Sequence, residues 1–107
     1  MDTDRGQITT MKVTTKPYSE EVIEQHGTGV KFIIRTFTDS VEEDELVWHR
    51  DRESRLVHVL SGTNWKLQLD DKLPEVLEVG MTYRIPKMGY HRLLKGQNNL
   101  VLRIQIT

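Results

Sequence analysis

The chain has 107 residues, no cysteine, 36% hydrophobic and 29% charged residues, and a formal net charge of −1. That length suits one domain with its own core, and the composition is globular rather than disordered. The near-neutral charge removes any global bias toward nucleic acid, the missing cysteine excludes disulfides, thiolate metal sites and a cysteine nucleophile, and no apolar run approaches the ~20 residues of a membrane span.

Residues 1–16 are polar and threonine-rich and read as a loose arm or an edge strand around Met11–Val13. The start carries no apolar signal-peptide stretch, so a cytoplasmic protein is expected. Residues 17–107 read as a single domain. Within it, Ser19 to Gln25 predicts a short helix, with Ser19 as N-cap, Glu20 and Glu21 in the first turn and Gly27 as the stop. His26 then interacts with the helix end.

From Val30 the period changes to two, and Val30, Phe32, Ile34, Thr36 and Thr38 share one strand face. Asp39–Asp44 is an acidic connection, and Glu45–His49 resumes a strand. Leu56–Leu60 follows, ending at the Ser61-Gly62 turn signal. Trp65, Leu67 and Leu69 alternate with polar residues. So do Val79, Met81, Tyr83 and Ile85, until Pro86 ends the run. Tyr90–Leu94 and Leu100–Ile106 are the last strands, joined by Lys95–Asn99. Short strands with turns at this spacing predict a sandwich or barrel, all-β apart from the one helix. The expected core is Phe32, Ile34, Val57, Val59, Ile85, Leu93 and Ile104, with Trp65, Leu67 and Leu69 on the next strand's apolar face. Leu56 and Leu60 form a second apolar row beside Val57 and Val59; that row needs a partner, so a homodimer is expected, with residues 8–16 adding an edge strand to the neighbouring subunit.

Two segments carry a family pattern. In the first, His49 is followed by Asp51, Arg55 and then Gly62; in the second, Gly80, Pro86 and His91 keep a Gly-x5-Pro-x4-His spacing. From Val30 to Ile106 the chain resembles the cupins, small double-stranded β-helix or jelly-roll barrels of RmlC-like type. His49, Gly62, Gly80, Pro86 and His91 match their motifs. The departures are Asp51 for the second His, Arg55 for the Glu, Met88 for a Gly and Lys95 for the Asn. The resemblance implies a jelly-roll barrel with His49, Asp51 and His91 at ligand positions inside it. The fold itself hosts many unrelated activities.

Residue chemistry agrees with that placement. His49 and Asp51 are two apart on a strand and so share a face. Two imidazoles and one carboxylate are the ligand set of non-haem Fe(II) centres, and they also suit Zn, Ni or Mn. His-x-Asp…His is likewise the ligand order of the 2-oxoglutarate oxygenases, with Arg103 near that family's cosubstrate arginine; 107 residues leave no room for its surrounding helices. Two readings stay open. In one, a metal-dependent cupin, of oxygenase or isomerase type if it is an enzyme, binds or acts on a small anionic or sugar-like molecule oriented by Arg55 or Arg103. In the other, Arg55 pairs with Asp51 in a metal-free barrel that binds a small ligand or works as a sugar isomerase or epimerase with His49 or His91 as base. His58 has the parity of Leu56 and Leu60 and reads as a packed residue; Trp48 and Trp65 read as core or interface aromatics, and Tyr83 and Tyr90 as buried with satisfied hydroxyls. Of the arginines at 50, 52, 55, 84, 92 and 103, most belong on the surface.

Overall fold

The computed structural model describes residues 16–24, 27–28 and 30–107. The expected strand around Met11–Val13, the arm preceding residue 16, and His26 lie outside them. Among the described residues eight strands follow in order: β1 (Ser19–Glu24), β2 (Lys31–Phe37), β3 (Arg55–Thr63), β4 (Lys66–Leu69), β5 (Glu75–Val76), β6 (Thr82–Ile85), β7 (His91–Leu94) and β8 (Gln97–Ile106), with one 3-10 turn, Glu43–Glu45. They form a five-stranded sheet in the order β1-β2-β8-β3-β6 and a three-stranded sheet in the order β5-β4-β7. Every pairing is antiparallel. The all-β jelly-roll expectation is met.

The core lies between the two sheets. Val57, Val59, Ile85, Leu100, Leu102 and Ile104 from the larger sheet meet Trp65, Leu67 and Leu77 from the smaller one and its flanks. Trp65 is fully buried, and its indole N–H donates to the carbonyls of Gln97 and Asn98 at 3.1 Å. Aromatic bulk therefore enters the core without an unmet donor. Pairing between β3 and β8 shifts register at Val59/Ser61 and again at Ser61/Thr63, and Gly62 sits there at φ 130°. A Cβ at that glycine would lie 2.9 Å from Leu100 Cδ1, so the irregularity and the close packing both call for glycine.

Four sequence expectations are corrected. Ser19–Glu24 is a strand, not a helix. It pairs residue for residue with β2, from Ser19 opposite Thr36 to Glu24 opposite Lys31. Val22 and Ile23 supply too little surface to dock a two-turn helix, and so short a helix is marginal in water on its own. As β-branched residues they suit a strand, and Gly27, at φ 79°, belongs to the turn between β1 and β2. On β2 the inward parity is the other one. Phe37 is buried and Ile33 packs on the core, whereas Phe32 and Ile34 are half-buried on the outer face. Both rows of β2 are apolar, so period two could not choose between them. Glu45–His49 is not a strand: a 3-10 turn ends at Glu45, and only His49 makes a β-bridge. Finally, β8 begins at Gln97, inside the expected connection. Among the described residues, no helix is long and apolar enough to cross a membrane.

Candidate metal centre

The site is built where two short segments cross. His49 bridges His91 in antiparallel fashion, each backbone N–H donating to the other's carbonyl at 2.9 and 3.0 Å. Both side chains of such a pair fall on one face, and the two rings come together with centroids 4.3 Å apart. Asp51 follows two residues later. Its backbone carbonyl accepts from Met88 N at 2.8 Å, which docks the Pro86–Gly89 turn against it. Met88 stands at φ 61°, the left-handed region, at the position where the motif has glycine.

His91 Nε2 lies 3.3 Å from Asp51 Oδ2, and His49 Nε2 lies 3.9 Å from Asp51 Oδ1. The three groups offer ligand atoms all within 4.8 Å of one another and could hold a metal ion. The ring orientations bear directly on this fit. His49 Nδ1 donates to Val47 O at 3.0 Å, and His91 Nδ1 donates to Gly89 O at 2.7 Å. A carbonyl only accepts, so each neutral ring carries its proton on Nδ1 and presents the Nε2 lone pair to the centre. Ligands ~2.1 Å from one ion lie ~3.0–3.5 Å apart, so Asp51 and His91 already fit, and His49 has a short way to close. Burial holds the His91 imidazole below the usual histidine value; its bond to Gly89 opposes this, His49 adds to it, Asp51 opposes it and Arg55 adds a little. A neutral imidazole is the form a metal takes.

Arg55 reaches the same inner face. Its Nη2 is 3.7 Å from Asp51 Oδ1 and 3.7 Å from Glu53 Oε1, and its Nε is buried with no hydrogen-bond partner among the described residues. A cavity of about 220 Å³ opens beside these groups. Its walls are largely apolar, from Phe37, Leu46, Leu67, Leu93, Leu102 and Ile104. His91 is buried at its inner end, while His49 is half exposed at the mouth.

The structure thus brings His49, Asp51, Arg55 and His91 together. Arg103 does not join them: Leu102 and Ile104 face the core, so Arg103 points outward and lies over the Phe32 ring at 5.4 Å. His58 is on the outer face too, with Nδ1 2.8 Å from Thr82 Oγ1. The Tyr83 hydroxyl is satisfied, donating to Val76 O and accepting from Glu78 N. Arg35 is the cavity residue missed in the sequence. It lines the wall, pairs with Glu20 and sits 3.9 Å from the Tyr18 ring centroid. An arginine between Ile34 and Thr36 in an apolar strand was the available signal, and the wrong parity on β2 hid it.

No family model and no curated protein matches this chain. Solved structures do. An RmlC-like cupin family protein with a double-stranded β-helix fold from Methanocaldococcus jannaschii superposes with TM-score 0.65 at 14% identity, over 92% of this chain and 86% of that one. The chain has the cupin fold. The DMSP lyase DddQ from Ruegeria pomeroyi DSS-3 shares this fold with TM-score 0.70 at 9% identity, over 91% of this chain and 50% of that one. Fe(II)-HppE with the alternative substrate (S)-1-HPP matches with TM-score 0.66 at 12% identity, over 92% and 53%. The chain spans about half the length of these two proteins.

Proposed function

We propose that this cupin-fold protein binds one divalent metal ion through His49 Nε2, a carboxylate oxygen of Asp51 and His91 Nε2, and holds a small anionic or sugar-like molecule beside it. The observation that carries this reading is the pair of Nδ1–carbonyl hydrogen bonds, which aim both Nε2 lone pairs at one carboxylate. A ligand set of two imidazoles and a carboxylate leaves positions open for substrate. HppE, a protein of the same fold, has been solved with Fe(II) and with Co(II). Fe, Zn, Ni and Mn all suit the donors. When bound, the ion supplies Lewis-acid polarisation of an oxygen-bearing substrate. The chain's own residues do the rest: the apolar walls exclude water, and Arg55 orients an anionic group at the inner end. Metal analysis of untagged protein tests this. We expect about one equivalent of metal in wild type and a loss of at least tenfold in affinity for Asp51→Ala, within the range seen when metal-site partners are removed. Wild type that takes up neither Zn(II), Ni(II), Mn(II) nor Fe(II) overturns it.

The contact between Arg55 and Asp51 supports the second reading, a metal-free barrel in which that pair replaces the ion. There Asp51→Ala strands a largely buried cation and lowers the melting temperature, whereas under the metal reading chelator-treated Asp51→Ala melts close to chelator-treated wild type. We also propose a homodimer through the outer face of the larger sheet, where Phe32, Ile34, Leu56 and Leu60 lie partly or largely exposed. Light scattering that gives a strict monomer at micromolar concentration overturns it.

A further inference from the structure

We propose that the ligand of this site is a small carboxylate with an apolar body, anchored by Arg55; this rests on the reading of His49, Asp51 and His91 as a metal centre. Arg55 lies on the inner face of β3, opposite Ile85 and Ile106, with its side chain 15% exposed. A guanidinium has five donors in a rigid fork. Here the nearest carboxylate oxygens are 3.7 Å away, beyond hydrogen-bond reach, and the buried Nε meets none. Buried donors without partners are costly, so the geometry is that of a fork prepared for a planar anion. Charge points the same way. Asp51 neutralises only half of a divalent ion, and Glu53, half-exposed to water at 3.7 Å, offsets only part of the positive charge that Arg55 adds. An anion between ion and guanidinium relieves both. A sugar fits poorly, because its many hydroxyls would face Phe37, Leu67, Leu93 and Leu102 with few partners. The cavity, about 220 Å³, holds something smaller than the ligands of ~300–1,000 Å³ pockets.

Isobutyrate, its neutral analogue isobutyramide, and xylose are titrated by ligand-observed NMR into Zn(II)-loaded and chelator-treated protein. Isobutyrate is expected to bind wild type at least roughly tenfold more tightly than isobutyramide, as one charge-assisted fork implies. Arg55→Gln should lose that preference, and Arg55→Lys, which keeps charge without the fork, should keep only part of it. Equal binding of acid and amide, preference for xylose, or an undiminished preference in Arg55→Gln overturns the proposal. If Zn(II) is not retained, the metal reading fails by itself, and the acid-over-amide preference is decided on the chelator-treated protein. Should Arg55→Gln not fold, Arg55→Lys makes the same comparison.

A separate observation concerns the outer face of the same strand crossing, where we infer that Trp48 and Tyr90 are positioning residues for the two imidazoles. With His49 opposite His91, Trp48 falls opposite Arg92 and Arg50 opposite Tyr90. The four side chains form a ladder: Arg92 lies over Trp48 at 4.8 Å, Trp48 stacks on Tyr90 at 5.2 Å, and Arg50 lies over Tyr90 at 4.8 Å. Arg92 Nε is in turn held by Gln68 Oε1 at 3.0 Å, which ties the ladder to β4. The crossing itself has two backbone hydrogen bonds between His49 and His91 and one from Met88 N–H to Asp51 O, and among the described residues no regular ladder continues on the His49 side. Cross-strand aromatic and cation–π contacts add to those bonds in fixing its register. Trp48→Leu is expected to weaken Zn(II) binding 10–100-fold and to raise amide hydrogen exchange at His49 and His91 while Val57 and Val59 stay protected. Tyr90→Phe, which keeps the stack, should behave as wild type in both. Unchanged exchange at His49 and His91 in Trp48→Leu, or equal damage from Tyr90→Phe, overturns the inference whether or not metal binds.

Discussion

At the scale of single residues, the proposed metal centre rests on two imidazoles whose Nδ1 atoms are held by backbone carbonyls. His91 makes this testable through pH. Burial lowers its folded value below the ordinary ~6.5, so the unfolded chain takes up a proton that native His91 refuses. Stability contributed by the neutral ring is complete above pH ~6.5 and falls as pH drops from there toward the lowered folded value. Metal-free wild type should therefore show a urea midpoint that decreases from pH 7.5 to 5.5, with a smaller decrease in His91→Gln. Met88 gives a second residue-scale test. It holds the left-handed conformation that costs a side chain roughly 1–2 kcal/mol. Met88→Gly should raise unfolding free energy by up to about 1 kcal/mol, the greater freedom of unfolded glycine offsetting part of the relief. Urea titration measures it, and metal affinity should not fall, because the Met88 N–H to Asp51 O bond is kept.

At the scale of elements, the turn between β7 and β8 is fixed by contact. A Cβ on Gly96 would lie 2.2 Å from Thr63 O and 2.4 Å from Trp65 N, all backbone atoms that cannot rotate away. Gly96→Ala should separate β8 from the Thr63–Trp65 corner and cost at least about 2 kcal/mol, read as a lowered denaturation midpoint. The strand β1 is a weaker element. All six of its residues are exposed, and among the described residues it is held on one side only, by β2 and by the Glu20–Arg35 pair across that register. Amide exchange should accordingly be faster on β1 than on β3 or β8, which are paired on both sides.

For the whole molecule, a metal that binds only the folded state adds to stability by mass action. At a free concentration one hundred times the dissociation constant, the gain is about 2.7 kcal/mol. For a domain of this size that raises the melting temperature by roughly 10–20 °C. Differential scanning fluorimetry with and without Zn(II), then with excess chelator, should show a rise and its reversal. The rise should fall by about half or more in Asp51→Ala, as a tenfold or greater loss of affinity implies.

The sequence by itself determined the fold class and picked out four residues that the structure brings together. Period-two patterning from Val30 onward set strands, and the alternation at Val57, Val59, Trp65 and Leu67 placed a two-sided core. His49, Asp51, Arg55 and His91 could be chosen because residue type and spacing survive in one dimension. Where both faces of a strand are apolar, as with Phe32 and Ile34 against Ile33 and Phe37, spacing carries no sign, and only packing against β8 and the smaller sheet decided which row is inside. Ser19–Glu24 has good helix-capping chemistry, but an antiparallel partner in β2 outweighed local propensity. The unmet Nε of Arg55 and the outer ladder of Trp48 and Tyr90 arise between residues far apart in the chain. Such contacts depend on how the two sheets close, a tertiary event that no local pattern encodes.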